Sequence, residues 1–364
     1  MPLPKGVELE RKVHEYFLGK GYFVKPHITV ALDYFEDEQI ITDIDIFGVK
    51  IDDDLYLKKL CVDCKHEQKG FAQIIRLIGL SKIAGFEECF AVRERITKEV
   101  RHFGNSIGIK LLQKDFFDKQ KNLIQEGSCT VKTYEKNQQF LSILREQENR
   151  ELKRKFLFPT QRTILERDSF RRFKAIRLIV NDLLRELEMV NTKQEELLHW
   201  ILFDAYSIAI LSLIEIAISL QDCPNKYLKI EVDSRLKEGY FSEKTKKEII
   251  AYLKEFDKKL RETRLLKLPD TRINFETSPS FLDPLTDLMN VLLQNKNLFQ
   301  KILLVNDFLI YGYILHKEAP IKSKITKQTR TNEEELKIIS KINSLVVETL
   351  CDNKKDISRF NVYF

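Results

Sequence analysis

The chain has 364 residues, 43% of them hydrophobic, a length that suits two or three separate cores and makes two domains the working expectation. Its 61 Lys+Arg against 55 Asp+Glu leave a net charge of +6, which permits nucleic-acid binding without demanding it. No apolar leader follows MPLPKGVELERK and the six cysteines are scattered, so the expectation is a reducing cytoplasm and not secretion.

Taken in chain order, residues 7–21 place Val13, Tyr16 and Phe17 at helical spacing and stop at Gly19 and Gly21, an amphipathic helix with a glycine exit. Residues 22–32 are strand-like, with Pro26 pointing to an edge or a bulge. Residues 39–51 alternate and are rich in isoleucine, Asp52, Asp53 and Asp54 make a turn, and residues 55–65 form the next strand. A helix over 70–85, a strand over 87–95, a helix over 97–106 and a short strand over 107–112 complete an αβββαβαβ order. Ten of the twelve glycines lie at or before Gly127, and the later sequence instead shows long helical periodicity, as in residues 173–190 and 249–260. The boundaries expected are therefore 1–125 for an α/β domain, 126–155 for a helical connector and 156–364 for a helical domain. Residues 197–220 are apolar enough to span a bilayer, but His199, Asp204 and Glu215 interrupt them, so they read as a buried core helix and no membrane partner is expected.

The stretch LCVDCKH, residues 60–66, carries the chemistry. Side chains alternate along a strand, so Asp63 and Lys65 share a face roughly 7 Å apart, Cys61 shares it and Cys64 points away. Two cysteines on opposite faces cannot grip one metal, which argues against a zinc site and leaves both as small packing residues. Asp43 and Asp45 also share a face, in the strand that the 52–54 turn folds back beside Asp63. Opposed side chains of antiparallel neighbours come within about 5 Å, so Asp45 and Asp63 can converge, and two converging carboxylates repel unless a cation fills the gap. A divalent ion with oxygen ligands is the natural occupant, and Lys65 beside it can orient a water or neutralise charge on a phosphate. The plainer alternative is a pair of solvated strand faces.

The ordered series Glu10, the DxD strand, the DxK strand, helix and strand resembles the PD-(D/E)XK nuclease superfamily, most closely its Mrr-like restriction endonuclease branch, over residues 6–115. That resemblance implies a restriction-endonuclease-like α/β fold, a mixed sheet flanked by helices, followed by a mostly α-helical C-terminal domain. It further implies that Asp45 and Asp63 bind the metal with the backbone carbonyl of Cys64, that Lys65 is the lysine of the motif, and that Glu10 helps to hold the metal or its water. Asp43 takes the place of Asp45 under a two-residue register shift. No proline precedes either aspartate, the middle acid is Asp and not the commoner Glu, and Leu77 stands where the exonuclease branch has a tyrosine after Gln73. His66, by parity, points away from Lys65, and Gln73 on the following helix is within reach of the site or of DNA. Lys153, Arg154, Lys155, Arg171 and Arg172 head a basic run that reads either as a phosphate-contacting surface or as a salt-bridged helix.

The remainder has no P-loop, dinucleotide fingerprint, HExxH or GxSxG. The function expected is a Mg2+-dependent endonuclease, with Mn2+ able to substitute, acting on DNA in restriction, anti-phage defence or repair. RNA is an alternative substrate, and a homo-oligomer or a defence-system protein an alternative partner. The competing expectation is a non-catalytic nucleic-acid-binding or assembly protein that keeps the nuclease fold.

Overall fold

Alternating apolar residues from position 23 onward produce three antiparallel strands in succession: β1 (Phe23–Tyr34), β2 (Asp37–Ile51) and β3 (Leu57–Lys65). In the turn joining β2 to β3, the Asp52 carboxylate accepts from the Tyr56 N–H at 2.8 Å and its carbonyl from the Leu55 N–H at 3.0 Å. Gly48 lets the two strands close up, because a Cβ there would meet Leu60 Cγ at 2.9 Å. The pattern then switches to a helical period. α2 (Phe71–Ala84) crosses over to β4 (Glu88–Arg93), and α3 (Lys98–Ser106), capped by Thr97, crosses to β5 (Ile109–Gln113). β3, β4 and β5 are parallel, so the five-stranded sheet is mixed and runs β1-β2-β3-β4-β5. This computed structural model describes residues 5–34, 37–65, 71–120, 129–145, 149–190, 192–238, 278–316 and 322–352.

The two sheet faces have different fates. Val24, Ile46, Leu60, Val62, Phe90 and Val92 pack beneath Leu9, Val13 and Phe17 of α1 (Lys5–Gly19) and Phe117 of α4 (Lys114–Lys119). Phe47, Val49, Cys61 and Ala91 face the other way, into a core shared with α2 and the helical region.

That region begins with α5 (Cys129–Arg145) and α6 (Arg150–Leu152), which passes through a π-helical turn, Lys153–Leu157, into α7 (Phe158–Thr163). α8 (Ser169–Met189), α9 (Thr192–Ser219), α10 (Leu228–Glu238), α11 (Leu282–Gln294), α12 (Phe299–His316), α13 (Lys322–Thr329) and α14 (Glu333–Leu350) follow. The helix expected at 249–260 lies outside the described residues. α9 is long and apolar enough to cross a membrane, yet 83% of its most apolar window is buried inside the protein. The charges that interrupt it meet partners on the sheet: Asp204 lies 3.0 Å from Lys25 of β1, and Glu215 lies 3.1 Å from Lys59 of β3.

More contacts cross the same seam. Gln300 of α12 accepts from the Ile51 N–H at 2.7 Å and donates to the Gly21 carbonyl at 2.8 Å. β1 is the edge strand that Pro26 predicts, and Gln161 of α7 covers its free backbone, accepting from Thr29 N–H and donating to His27 O. α5, expected as a connector, is anchored at both ends, with Tyr134 buried near β1 and Phe140 stacked on Trp200 of α9.

Candidate active site

The β2–β3 register pairs Ile46 with Val62 and Phe47 with Cys61, which sets Asp45 and not Asp43 opposite Asp63. The ladder ends there. One step beyond it, the Cys64 N–H donates to Asp45 Oδ2 at 2.6 Å, so a side chain replaces the missing strand carbonyl. Both carboxylates are buried, and they converge on one ammonium: Lys65 Nζ lies 3.1 Å from Asp45 Oδ2 and 3.5 Å from Asp63 Oδ1.

The electrostatics follow from burial and crowding. Burial raises the Asp45 carboxyl above its ordinary value and Asp63 adds to the rise, while Lys65 and the Cys64 N–H pull the other way. For Lys65 burial is the largest single influence and lowers it, but Asp45, Asp63 and Glu10 together leave it raised. Lys65 is therefore an ammonium at neutral pH. The Cys64 thiol, buried and facing three acids, is pushed far above its usual value and stays protonated.

Two arginines complete the cluster, and neither was expected from the sequence. Arg93, at the end of β4 and 4% exposed, donates to Asp63 Oδ2 at 2.6 Å, to the Asp63 carbonyl at 2.8 Å and to Gln73 Oε1 at 3.3 Å. Arg76, on α2, reaches Asp63 Oδ1 at 3.3 Å. The signal for Arg93 is present in ECFAVR: a guanidinium ending an apolar strand beside the DCK strand needs a buried acceptor.

Glu10 has partners of its own. Its Oε2 accepts from Tyr134 Oη at 3.1 Å and lies 3.2 Å from His27 Nε2, although its charge is felt at Lys65 and Cys64. His27 adopts φ 55° in β1, between the pairs Pro26–Ile46 and Ile28–Ile44, and so faces Asp45 across the ladder. A left-handed conformation is unusual for a residue with a side chain and tends to persist where surroundings enforce it, here through Gln161 and Tyr134. The Tyr134 hydroxyl is raised by burial and by Glu10, which keeps it a donor to the carboxylate.

The chain matches no protein-family model, no curated protein and no solved structure among those searched.

Of the other expected residues, Gln73 lies at the cluster and accepts from Arg93. Asp43 is exposed and lines a small depression with Asp63, Gln73 and Arg76. His66 lies outside the described residues. The basic run requires a correction, because Arg172 does not form part of a nucleic-acid surface. It is wholly buried and donates to Glu215 at 2.7 Å and to the carbonyls of Thr163 and Glu166. A guanidinium with its donors satisfied inside a core has nothing to offer a phosphate. Lys155 pairs with Glu186, Arg171 lies 3.7 Å from Asp168, Lys153 sits over the Phe158 ring, and Arg154 is exposed. The salt-bridged helix describes this stretch better than a phosphate-binding surface does.

Proposed function

We propose that the protein is a divalent-metal-dependent nuclease of PD-(D/E)XK type that hydrolyses phosphodiester bonds in DNA, in restriction, anti-phage defence or repair. The observation that carries the reading is the convergence of Asp45 and Asp63, from neighbouring strands of a mixed sheet, on the Lys65 ammonium. Two buried carboxylates already arranged around one cation position fit a hard, oxygen-preferring ion such as Mg2+, or Mn2+ in its place. Among the described residues no group of three or more His, Cys, Asp or Glu forms a full cage. Mg2+ needs none, since it keeps several waters and takes one or two carboxylates.

Asp45, Asp63 and the Cys64 carbonyl would hold the ion, and an ion so held supplies an activated water and a polarised phosphoryl oxygen. The remaining work falls to the chain's own side chains. Lys65, kept protonated, lies where negative charge on a phosphate oxygen would be met by a fixed cation. Glu10, fixed by Tyr134 and His27, flanks the group from α1. Arg93 holds the Asp63 carboxylate in one orientation through both its backbone and its side chain.

A second reading is a nucleic-acid-binding or assembly protein without catalysis. It is favoured by the arginines on both Asp63 oxygens, which balance the charge of the pair without an ion. Assays of plasmid DNA, linear DNA and RNA with and without Mg2+ separate the two. Wild type is expected to nick DNA only with the metal, with losses of about 100-fold or more in Asp63→Asn and Lys65→Ala. Equal nicking by all three proteins would remove the nuclease reading, and cleavage confined to RNA would change its substrate.

A further inference from the structure

Asp63 has two carboxylate oxygens, and they are held in unlike ways. Oδ2 belongs to Arg93, which is 4% exposed and also donates to the Asp63 carbonyl, to Val92 O at 2.9 Å and to Gln73. That guanidinium cannot leave without stranding several buried acceptors. Oδ1 is shared between Lys65 at 3.5 Å and Arg76 at 3.3 Å, and the Arg76 side chain is 44% exposed. A long, one-point contact to a half-exposed arginine is screened by water and easily exchanged. Arg76 projects from the solvent-facing side of α2, next to the exposed side chains of Phe71 and Ile75, so it can swing outward without a core rearrangement.

We propose that Arg76 is the exchangeable counter-ion of Asp63: a divalent ion takes its place at Oδ1, and the released guanidinium binds a phosphate of the nucleic acid. The inference rests on the nuclease reading and adds to it a substrate-binding residue and an order of events. Arg76 and the ion compete because both need the one oxygen that Arg93 leaves open, and their like charges repel at that distance. Once free, the planar fork of a guanidinium matches two phosphate oxygens, and its place on α2, within 3.3 Å of Asp63 Oδ1 before release, keeps it beside the reacting group. Arg93 remains the positioning residue throughout.

The test titrates Mn2+ alone into the full chain by calorimetry, for wild type, Arg76→Met and Asp63→Asn. The affinity of the same proteins for a phosphorothioate DNA duplex is then measured in Mn2+ by fluorescence anisotropy. Arg76→Met is expected to bind Mn2+ about tenfold more tightly, through lost charge repulsion, and the duplex about tenfold more weakly, through a lost phosphate contact. Opposite signs in the two readouts distinguish exchange from simple damage, which weakens both. Mn2+ binding that is equal or weaker in Arg76→Met, with wild type still binding, overturns the exchange and leaves the nuclease reading standing. Tighter Mn2+ binding with unchanged duplex affinity overturns the phosphate role. Absence of Mn2+ binding in wild type and Arg76→Met alike overturns both the exchange and the metal-dependent function.

Discussion

Two groups of charged side chains are buried against the sheet, and they differ in one respect. At the β2–β3 end, Asp45 and Asp63 meet Lys65, Arg76 and Arg93, and two of the three cations reach solvent, Lys65 with 34% and Arg76 with 44% of its side chain exposed. Between sheet and helices, Lys25 meets Asp204 and Asp307, while Lys59 and Arg172 meet Glu215, and all of these side chains are 12% exposed or less. Closed clusters of this kind lock the two parts together. The open one has members that can exchange partners, which is what binding and catalysis need. Burial of charge alone therefore does not mark a site; access does.

The largest effect is expected at Arg172. Arg172→Met leaves Glu215 to Lys59 alone and takes the guanidinium from the Thr163 and Glu166 carbonyls, and a loss of about 3–5 kcal/mol is expected in denaturant unfolding. A near-neutral result would mean that the seam is wetter than its geometry implies.

A smaller effect is expected at Asp307, where burial raises the carboxyl to about 6, Asp204 adds to the rise and Lys25 opposes it. The folded state then holds this proton more tightly than the unfolded chain, whose ordinary value is 3.8. Its contribution favours folding most below about pH 4, is lost as the pH rises from there through 6, and is flat above. The difference between wild type and Asp307→Asn in unfolding free energy should shift by on the order of 2–3 kcal/mol across that window. A constant difference between pH 4 and 7 would show that Asp307 titrates normally.

The smallest stability effect belongs to the open cluster. Lys65→Met, at a side chain one-third exposed, should change the unfolding free energy by less than about 1 kcal/mol while abolishing any Mg2+-dependent cleavage. A large destabilisation there would make Lys65 a structural residue like Arg172 and erase the distinction between the clusters.

The element order was legible in the sequence because alternation, glycine exits and the Asp52 turn are local signals. The choice between Asp43 and Asp45 was not, since it depends on strand register, which the length of the 52–56 turn fixes only once the pairing forms. Arg172 is ambiguous in the sequence for a related reason. On α8 it looks like one more cation in a basic run, and the carboxylate that buries it lies 43 residues away on α9. Tyr134 and Arg93 escaped notice because their partners, Glu10 and Asp63, come from elements that only the tertiary fold brings near.

The sheet face built from Phe47, Val49 and Cys61 shares one core with α2, with Val100 and Phe103 of α3 and with the helical region, and α5 and α7 supply Tyr134 and Gln161 to the bend at His27. Expressed without the helices, residues 1–125 would present a wide oily surface to water and an unsupported kink beside the acids. The α/β half is thus expected not to be a portable cassette: heating the whole chain should give one calorimetric transition, two separate ones would show halves that fold alone, and a transplant of the acidic site should work only with its helical underlay.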